Sequence, residues 1–569
     1  MTGAQGVAQV MAAQPNATVY GVPGGYTVQI YDALHFLRDK VTTRLVREEA
    51  FATVMAEAQG RLTSHPAFVI GQGAWVLGNA GIGIMEALLG CSPMVLLVDA
   101  TEGGAFSHLG PYQAGAAGHG AYDLAGALKA ITKETFVALD PTQAIHMTQL
   151  AIKHAMAGEP GPVAVVFHGK SLFETTNGNV QPPIGPLNKR LSFESPAPAP
   201  LALAEASDLL VGAKSPVIIS GNGVRLSKAQ ASLLAFAQTL GIPVATTPAG
   251  KGTFPEDHPL AIGVMGAFGH EVANAIVGAS DLIIAVGTKL GASDTANQHP
   301  KLIAPGKQKI IQIDTEALNL GWTLPVDVGI VARAQAGLDA LLAHCQATVF
   351  DGQARVSAAR ESLGYFDHAS SSSQGNFSGR DAVAMLAKHL PNGSIVTCDA
   401  GENRLYMLRD FQCSGTTSVL QPNGGGGMGY AVPAAISAAL NTDTAQAVAV
   451  CGDGGISMTL HALMTAIENQ ANLLVVVLDN SILGWVYNGQ RDRVIASELQ
   501  QFDYAAIARA IGCHAIATDD PVLFERELKA SIGRLGVSVL VAKTARRDRY
   551  QDVMSSLHTT DVYAVPEKP

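Results

Sequence analysis

The sequence runs to 569 residues, 48% of them apolar, with 37 basic and 47 acidic side chains and a net charge of −10. That length outgrows a single hydrophobic core and calls for roughly three or four domains. The acidic balance, with no block of like charge, argues against nucleic acid or an anionic membrane as partner.

In chain order, the N-terminal MTGAQGVAQVMAAQPN lacks the basic start and long apolar run of a signal peptide. Strands are predicted at 18–21, 67–70, 94–98 and 163–167, making a first unit over 1–170. The run at 67–85 comes nearest to a membrane span, but its five glycines, with Gln72 and Asn79, fit a buried strand–loop–helix better. Residues 171–203, rich in Pro, Asn and Ser, read as a linker. A second unit over 204–345 has strand candidates within 215–224, 242–248, 280–287 and 308–314. A second linker is expected over 346–378, where HASSSSQGNFS falls, and a third unit over 379–569. Short β-branched runs alternating with helix-period stretches give an α/β class: three doubly wound parallel-sheet domains. Cys91, Cys345, Cys398, Cys413, Cys451 and Cys513 show no CxxC spacing, which reads as reduced thiols in a soluble, cytoplasmic protein.

Chemistry gathers in the third unit. The apolar strand before Gly452-Asp453-Gly454 and the one before Asp479-Asn480 are separated by a helix-like segment. A right-handed crossover makes such strands parallel and puts both polar tips at the carboxyl edge of one sheet, where open α/β sheets bind ligands. A carboxylate and an amide oxygen there, with a backbone carbonyl and phosphate oxygens, suit octahedral Mg²⁺. Glycines around Asp453 let the backbone approach an anion, and the following helix N-terminus adds N–H donors. Alone, each tripeptide is an ordinary turn signal; together, each after an apolar strand, they form a signature.

GDGGISMTLHALMTAIENQANLLVVVLDN resembles the thiamine-diphosphate-binding motif, and the chain is identified as a member of the acetolactate synthase, benzaldehyde lyase and 2-oxo acid decarboxylase superfamily. The resemblance extends over almost the whole chain and implies pyrimidine-binding, central and pyrophosphate-binding domains in that order. It implies Mg²⁺ ligands at Asp453 and Asn480 through side chains and at Ile482 through its carbonyl. Asp479 stands where many relatives have Asn. NGGGGMGYAVPAAISAAL at 423–440 carries Gly427 and Met428, the latter matching the residue that wedges the cofactor into a bent shape. Core packing is the plainer role for a Met. CDAGEN at 398–403 implies diphosphate contacts at Gly401, Glu402 and Asn403, through backbone donors at Glu402, with Gly452, Gly454 and Gly455 beside them.

LVREEAFATVMAEAQGR at 45–61 resembles the segment holding the catalytic glutamate, here Glu49. A carboxyl there protonates N1′ of the aminopyrimidine, and an apolar pocket favours its protonated form. As plain structure, Glu48 and Glu49 are acids in a helix's first turn. Glu48 and Ala50 replace the His and Gln common in relatives. GPYQAGAAGHGAYD implies that Gln113 reaches the reacting carbonyl, with Tyr112 beside it. Gly25, Tyr26 and Asn79 would face the substrate, and His108 and His119 lie nearby, although a lone histidine is more often structural. Leu483 and Trp485 would line the acceptor pocket or the core. The Trp of acetolactate synthases past the metal Asn falls, without gaps, on Gly489, which puts that enzyme's own specificity in doubt.

The second unit resembles the domain that holds FAD in acetolactate synthases and ADP or nothing in other relatives. Lys289 in place of an Arg, and the missing F-D-D-R run, admit FAD without favouring it. The implied activity is thiamine-diphosphate- and Mg²⁺-dependent making or breaking of a C–C bond in a 2-oxo acid, by decarboxylation, carboligation or both. Cleavage of a 2-hydroxy ketone or 2-hydroxyacyl-CoA, or cofactor binding without catalysis, are the rivals. A nicotinamide dehydrogenase would need a G-x-G-x-x-G fingerprint, and GQGAWVLG misses that spacing. The family builds its site between the first domain of one subunit and the third of another, implying a homodimer at minimum and a homotetramer as the fuller assembly.

Overall fold

Among the described residues, eighteen strands, most of them apolar from end to end, sort into three six-stranded sheets. The computed structural model describes residues 1–101, 112–177, 182–186, 196–345, 349–366, 377–546 and 549–557. The first sheet joins β1 (Ala17–Gly21), β2 (Val41–Leu45), β3 (Ala67–Gln72), β4 (Met94–Asp99), β5 (Glu134–Ala138) and β6 (Pro162–Phe167) in the order β2-β1-β3-β4-β6-β5. The second holds β7 (Pro216–Ser220), β8 (Val244–Thr246), β9 (Ala261–Val264), β10 (Leu282–Val286), β11 (Lys309–Asp314) and β12 (Val328–Val331), ordered β12-β11-β10-β7-β8-β9. The third holds β13 (Ile395–Cys398), β14 (Ser418–Leu420), β15 (Ala447–Gly452), β16 (Leu473–Asp479), β17 (His514–Thr518) and β18 (Val537–Lys543), ordered β14-β13-β15-β16-β18-β17. The neighbouring strands run parallel, as β15 and β16 do from Ala447 opposite Leu473 to Gly452 opposite Leu478. Helices cover both faces, which is why strands such as LLVVVLD are buried throughout.

Counted within each unit, the first and third sheets share one strand order. In the third, the order reverses between β13 and β15, so the loops after those strands diverge and leave the crevice that such sheets use for ligands. One continuous core joins these two units. There the helix Glu49–Thr63 lies on the helix Ala431–Asn441, and alanines at 52, 56, 434, 435 and 438 allow close approach. Ser437 Oγ crosses the seam to the Met55 carbonyl at 2.7 Å. Arg61, fully buried, donates to Glu57 and Glu86 at 2.8 Å each and to the Gln421 carbonyl at 2.8 Å. A buried guanidinium between two carboxylates fixes the register of two domains, because losing any member strands a charge away from water.

Both expected linkers carry structure. The helix Pro200–Gly212 starts inside 171–203, and the strand-like pairing of Thr2 with Thr175 carries the first unit past residue 170. The helix Gly352–Leu363 occupies much of 346–378. Buried Val356 docks it on the second unit, and Arg360 donates to the carbonyls of His258 and Ala261 at 3.0 and 2.6 Å. All six cysteines are free thiols.

Candidate active site

The strand-end residues of the third unit line a cavity of about 140 Å³. Gly401, Glu402, Asn403, Met428, Gly452, Asp453, Gly454, Gly455, Asn480, Ile482, Leu483 and Trp485 all form its wall. Asp453 opens the helix Asp453–Thr459 directly after β15, while Asp479 ends β16 and Asn480 follows it. Asp453 Oδ1 accepts from the Gly454 amide at 2.9 Å, and Asp479 Oδ1 accepts from the amide and hydroxyl of Ser481 at 3.3 Å each. The Oδ2 of each is buried with no donor to satisfy it, and the two carboxyls lie within hydrogen-bonding reach of one another. Burial, and then the Asp479 carboxylate, push Asp453 up to about 7.

Buried carboxylate oxygens without donors are costly unless a cation or proton meets them. With the Asn480 amide and the Ile482 carbonyl beside them, this donor set fits a hard divalent cation that draws its other ligands from phosphate and water. No cluster of three His, Cys, Asp or Glu that could hold a metal alone occurs among the described residues. Arg546 braces the loop from outside, donating to the carbonyls of Asn480 and Ser481 at 2.9 and 3.1 Å.

Opposite, Gly401 at φ +119° turns the chain into the helix Glu402–Arg409, whose first residues line the cavity. The Glu402 carboxylate is engaged elsewhere: Oε1 accepts from Asn488 Nδ2 at 2.6 Å and the Tyr550 amide at 3.0 Å. Its backbone is what remains for an anion. A Cβ on Gly455 would sit 2.1 Å from Asp399 Oδ2, so the loop passes there only as glycine. Met428 Sδ comes within 3.8 Å of where a Gly454 Cβ would be. Trp485 lines the wall while its ring stacks on Tyr550 at 5.3 Å, giving it both pocket and packing roles. Gly427 lies apart from this cavity, its Cα facing Ile82, and borders a small void beside Glu86 and Tyr430.

The first unit carries the other group of residues. Glu49 is the first residue of its helix, 9% exposed, and its Oε2 accepts from Asn79 Nδ2 at 3.2 Å. Burial and the nearby Glu49 raise the Tyr31 hydroxyl well above its ordinary value. Gly25 at φ +55° leads into Tyr26, whose amide donates to Asp99 Oδ2. Gln113 is held at φ +54°, with its Oε1 buried and unpartnered. Tyr112 and His119 project to solvent, and His108 lies outside the described residues. The third-unit cavity is walled by residues between 379 and 545 alone, so Glu49, Asn79, Gln113, Gly25 and Tyr26 line none of it within one chain.

Three further acids, none of them singled out by the motifs, are buried beside these loops. Asp99 ends β4, is wholly buried and accepts from the amides of Tyr26 and Gly73, tying two first-unit loops together. Asp399 follows β13, accepts from the Ala431 amide at 2.6 Å, and is pushed up to about 6 by burial. Glu86 accepts from the amides of Gly424 and Gly425. The first two share the signal that singled out Asp453, an acid closing an apolar strand in MVLLVD and IVTCD.

A larger cavity of about 320 Å³ lies among all three units, at the ends of β7, β8, β10 and β11. Lys289 on its wall is engaged by Glu159 at 2.5 Å and lies over the Trp322 ring.

Comparison with known proteins matches three family descriptions along the chain. "Thiamine pyrophosphate enzyme, N-terminal TPP binding domain" covers residues 1–114, the central domain of that family 203–341, and its C-terminal TPP binding domain 399–542. A probable acetolactate synthase large subunit of Methanocaldococcus jannaschii is 29% identical over 94% of this chain and 90% of its own. The acetolactate synthase large subunit of Lactococcus lactis is 25% identical over 98% and 97%. The acetolactate synthase isozyme 3 large subunit of Escherichia coli K12 is 26% identical over 95% and 94%.

Proposed function

From the premise that the chain belongs to the thiamine pyrophosphate enzymes of the acetolactate synthase superfamily, we propose that it decarboxylates a small 2-oxo acid and ligates the remainder to a carbonyl acceptor. The observation that carries this reading is the pair of donor-less buried carboxylate oxygens at the tips of β15 and β16, facing a glycine-lined cavity. Asp453, Asn480 and the Ile482 carbonyl would hold Mg²⁺. Amides at Gly401–Asn403 and Gly454–Gly455 would receive the diphosphate. Thiamine diphosphate, when bound, supplies the electron sink that a carbanion next to a carbonyl needs.

The protein's share is placement and proton traffic. Glu49, oriented by Asn79, holds or delivers a proton at N1′ of the aminopyrimidine. Met428, in the cavity wall, would pack against the cofactor. The Gln113 side-chain amide would donate through Nε2 to the reacting carbonyl, and Asp99 holds the loop at Gly25–Tyr26 that would face the same substrate. Leu483 and Trp485 would line the pocket from the third unit, whereas Tyr112 and His119, exposed in one chain, would join it only across a subunit contact. Decarboxylation with ligation involves no net redox change, so FAD has no step to perform.

The separation of the two residue groups within one chain supports a homodimer as the smallest active unit, with a tetramer as the fuller assembly. Trp75, Met85 and Leu89 in the first unit and Met458 and Met464 in the third are between 39 and 58% exposed in one chain, apolar surface that a second copy would cover. No described helix is long and apolar enough to cross a membrane, and free cysteines suit the reducing cytoplasm in which we place the reaction.

The test is CO₂ release from a panel of aliphatic and aromatic 2-oxo acids, with thiamine diphosphate and Mg²⁺ supplied. Release that disappears in Glu49→Ala is the expected result. Silence across the panel with cofactor bound would overturn the decarboxylase reading in favour of C–C cleavage.

A further inference from the structure

The run Gly424–Gly427 offers no side chain to pack, so nothing of its own fixes the shape of the loop that presents Met428. Its backbone is nevertheless held at both ends by buried carboxylates. Glu86, 1% exposed, accepts from the amides of Gly424 at 3.2 Å and Gly425 at 2.6 Å. Arg61 Nη2 donates to the same carboxyl group at 2.8 Å and holds it in place. At the far end Asp399, also 1% exposed, accepts from the amides of Gly429, Tyr430 and Ala431. The Tyr430 hydroxyl adds a 2.8 Å bond to Glu57 Oε2. Between the two grips, the Gly427 carbonyl accepts from the Ala400 amide at 3.3 Å, and Met428 lines the cavity.

We propose that Glu86 and Asp399 are positioning residues, a two-ended clamp that sets Met428 against the bound cofactor. The proposal rests on reading the third-unit cavity as the thiamine diphosphate site. Two features separate a clamp from ordinary packing. The acceptors are buried carboxyl groups, so losing one would leave backbone amides unsatisfied away from water. They also come from opposite sides of the domain seam, Glu86 from the helix Gly81–Leu89 of the first unit and Asp399 from the end of β13 in the third. Asp399 further abuts the Gly455 backbone, so one side chain registers the Met428 loop against the loop after β15. Glu86 is tied through Arg61 to the helix that begins at Glu49, so the placement of Met428 follows that of the first unit.

The experiment measures thiamine diphosphate affinity by quenching of tryptophan fluorescence, Trp485 being in the cavity wall, together with kcat and KM for the 2-oxo acid. Glu86→Gln, Asp399→Asn and the gentler Tyr430→Phe are compared with wild type, each alone and combined with Met428→Ala. A clamp predicts that the single variants weaken cofactor binding about tenfold or lower kcat about tenfold, with KM little changed. It also predicts that Met428→Ala costs less in each variant than in wild type, because a misplaced wedge has less to lose. A merely structural role lowers Tm but leaves affinity, kcat and additivity with Met428→Ala intact, and that result in Asp399→Asn and Tyr430→Phe would overturn the proposal even if Glu86→Gln does not fold. Wild type that binds no thiamine diphosphate would instead refute the cofactor site itself.

Discussion

At the scale of single residues, Asp453 and Asp479 show how position sets chemistry. A carboxyl in water titrates near ~3.9, yet Asp453 is pushed up to about 7 by burial and by the second acid. Without metal, its proton is held by the folded state and released on unfolding, so its contribution to stability is full below about pH 4 and is lost as pH rises through about 7. Mg²⁺ takes the charged form, so cofactor binding in Mg²⁺ is expected to tighten between about pH 6 and 8. Calorimetric titration across that range checks this, and a flat profile in wild type with the same slope in Asp453→Asn would contradict it. Glu49→Gln keeps the shape and the Asn79 contact but removes the acid; kcat should fall by about 10²–10³ while thiamine diphosphate still binds. Asp453 and Asn480 could be singled out from residue type and spacing, and Glu49 only through the family resemblance. Asp99, Asp399 and Glu86 could not, because what they do is grip backbone amides that only the fold brings to them.

Among elements, the buried parallel strands announce themselves as unbroken apolar runs, so β4, β15 and β16 could be read directly. The helix Gly352–Leu363 could not, since one buried Val356 and the reach of Arg360 dock it rather than an apolar stripe. The loops at the carboxyl edge depend on absent side chains: Gly455→Ala would drive a methyl into Asp399, and we expect it to abolish cofactor binding while leaving the far-UV circular dichroism of the sheet unchanged. The seam between the helices Glu49–Thr63 and Ala431–Asn441 depends on small side chains instead. Ala435→Leu should overpack it, costing about 1–3 kcal/mol of stability in a denaturant titration. A wild-type midpoint would show that this seam has room to spare.

For the whole molecule, three sheets in one chain were foreseeable from length and alternation, whereas the division of the candidate site between the first and third units was expected only from the family resemblance, because which loops meet depends on how units pack. The residues around Glu49 and those around Asp453 do not share a cavity within one chain. If a second copy brings them together, mixing Glu49→Ala with Asp453→Ala subunits should restore about a quarter of wild-type activity, one intact site in each mixed dimer. No recovery after subunit exchange would place both groups in a single-chain site. The most direct test of the account is calorimetric titration of thiamine diphosphate into the wild-type protein with Mg²⁺ and with EDTA, beside Asp453→Ala. The account predicts saturable binding that requires Mg²⁺ and is lost in Asp453→Ala; no binding by wild type, or binding unaffected by both EDTA and the substitution, would contradict it.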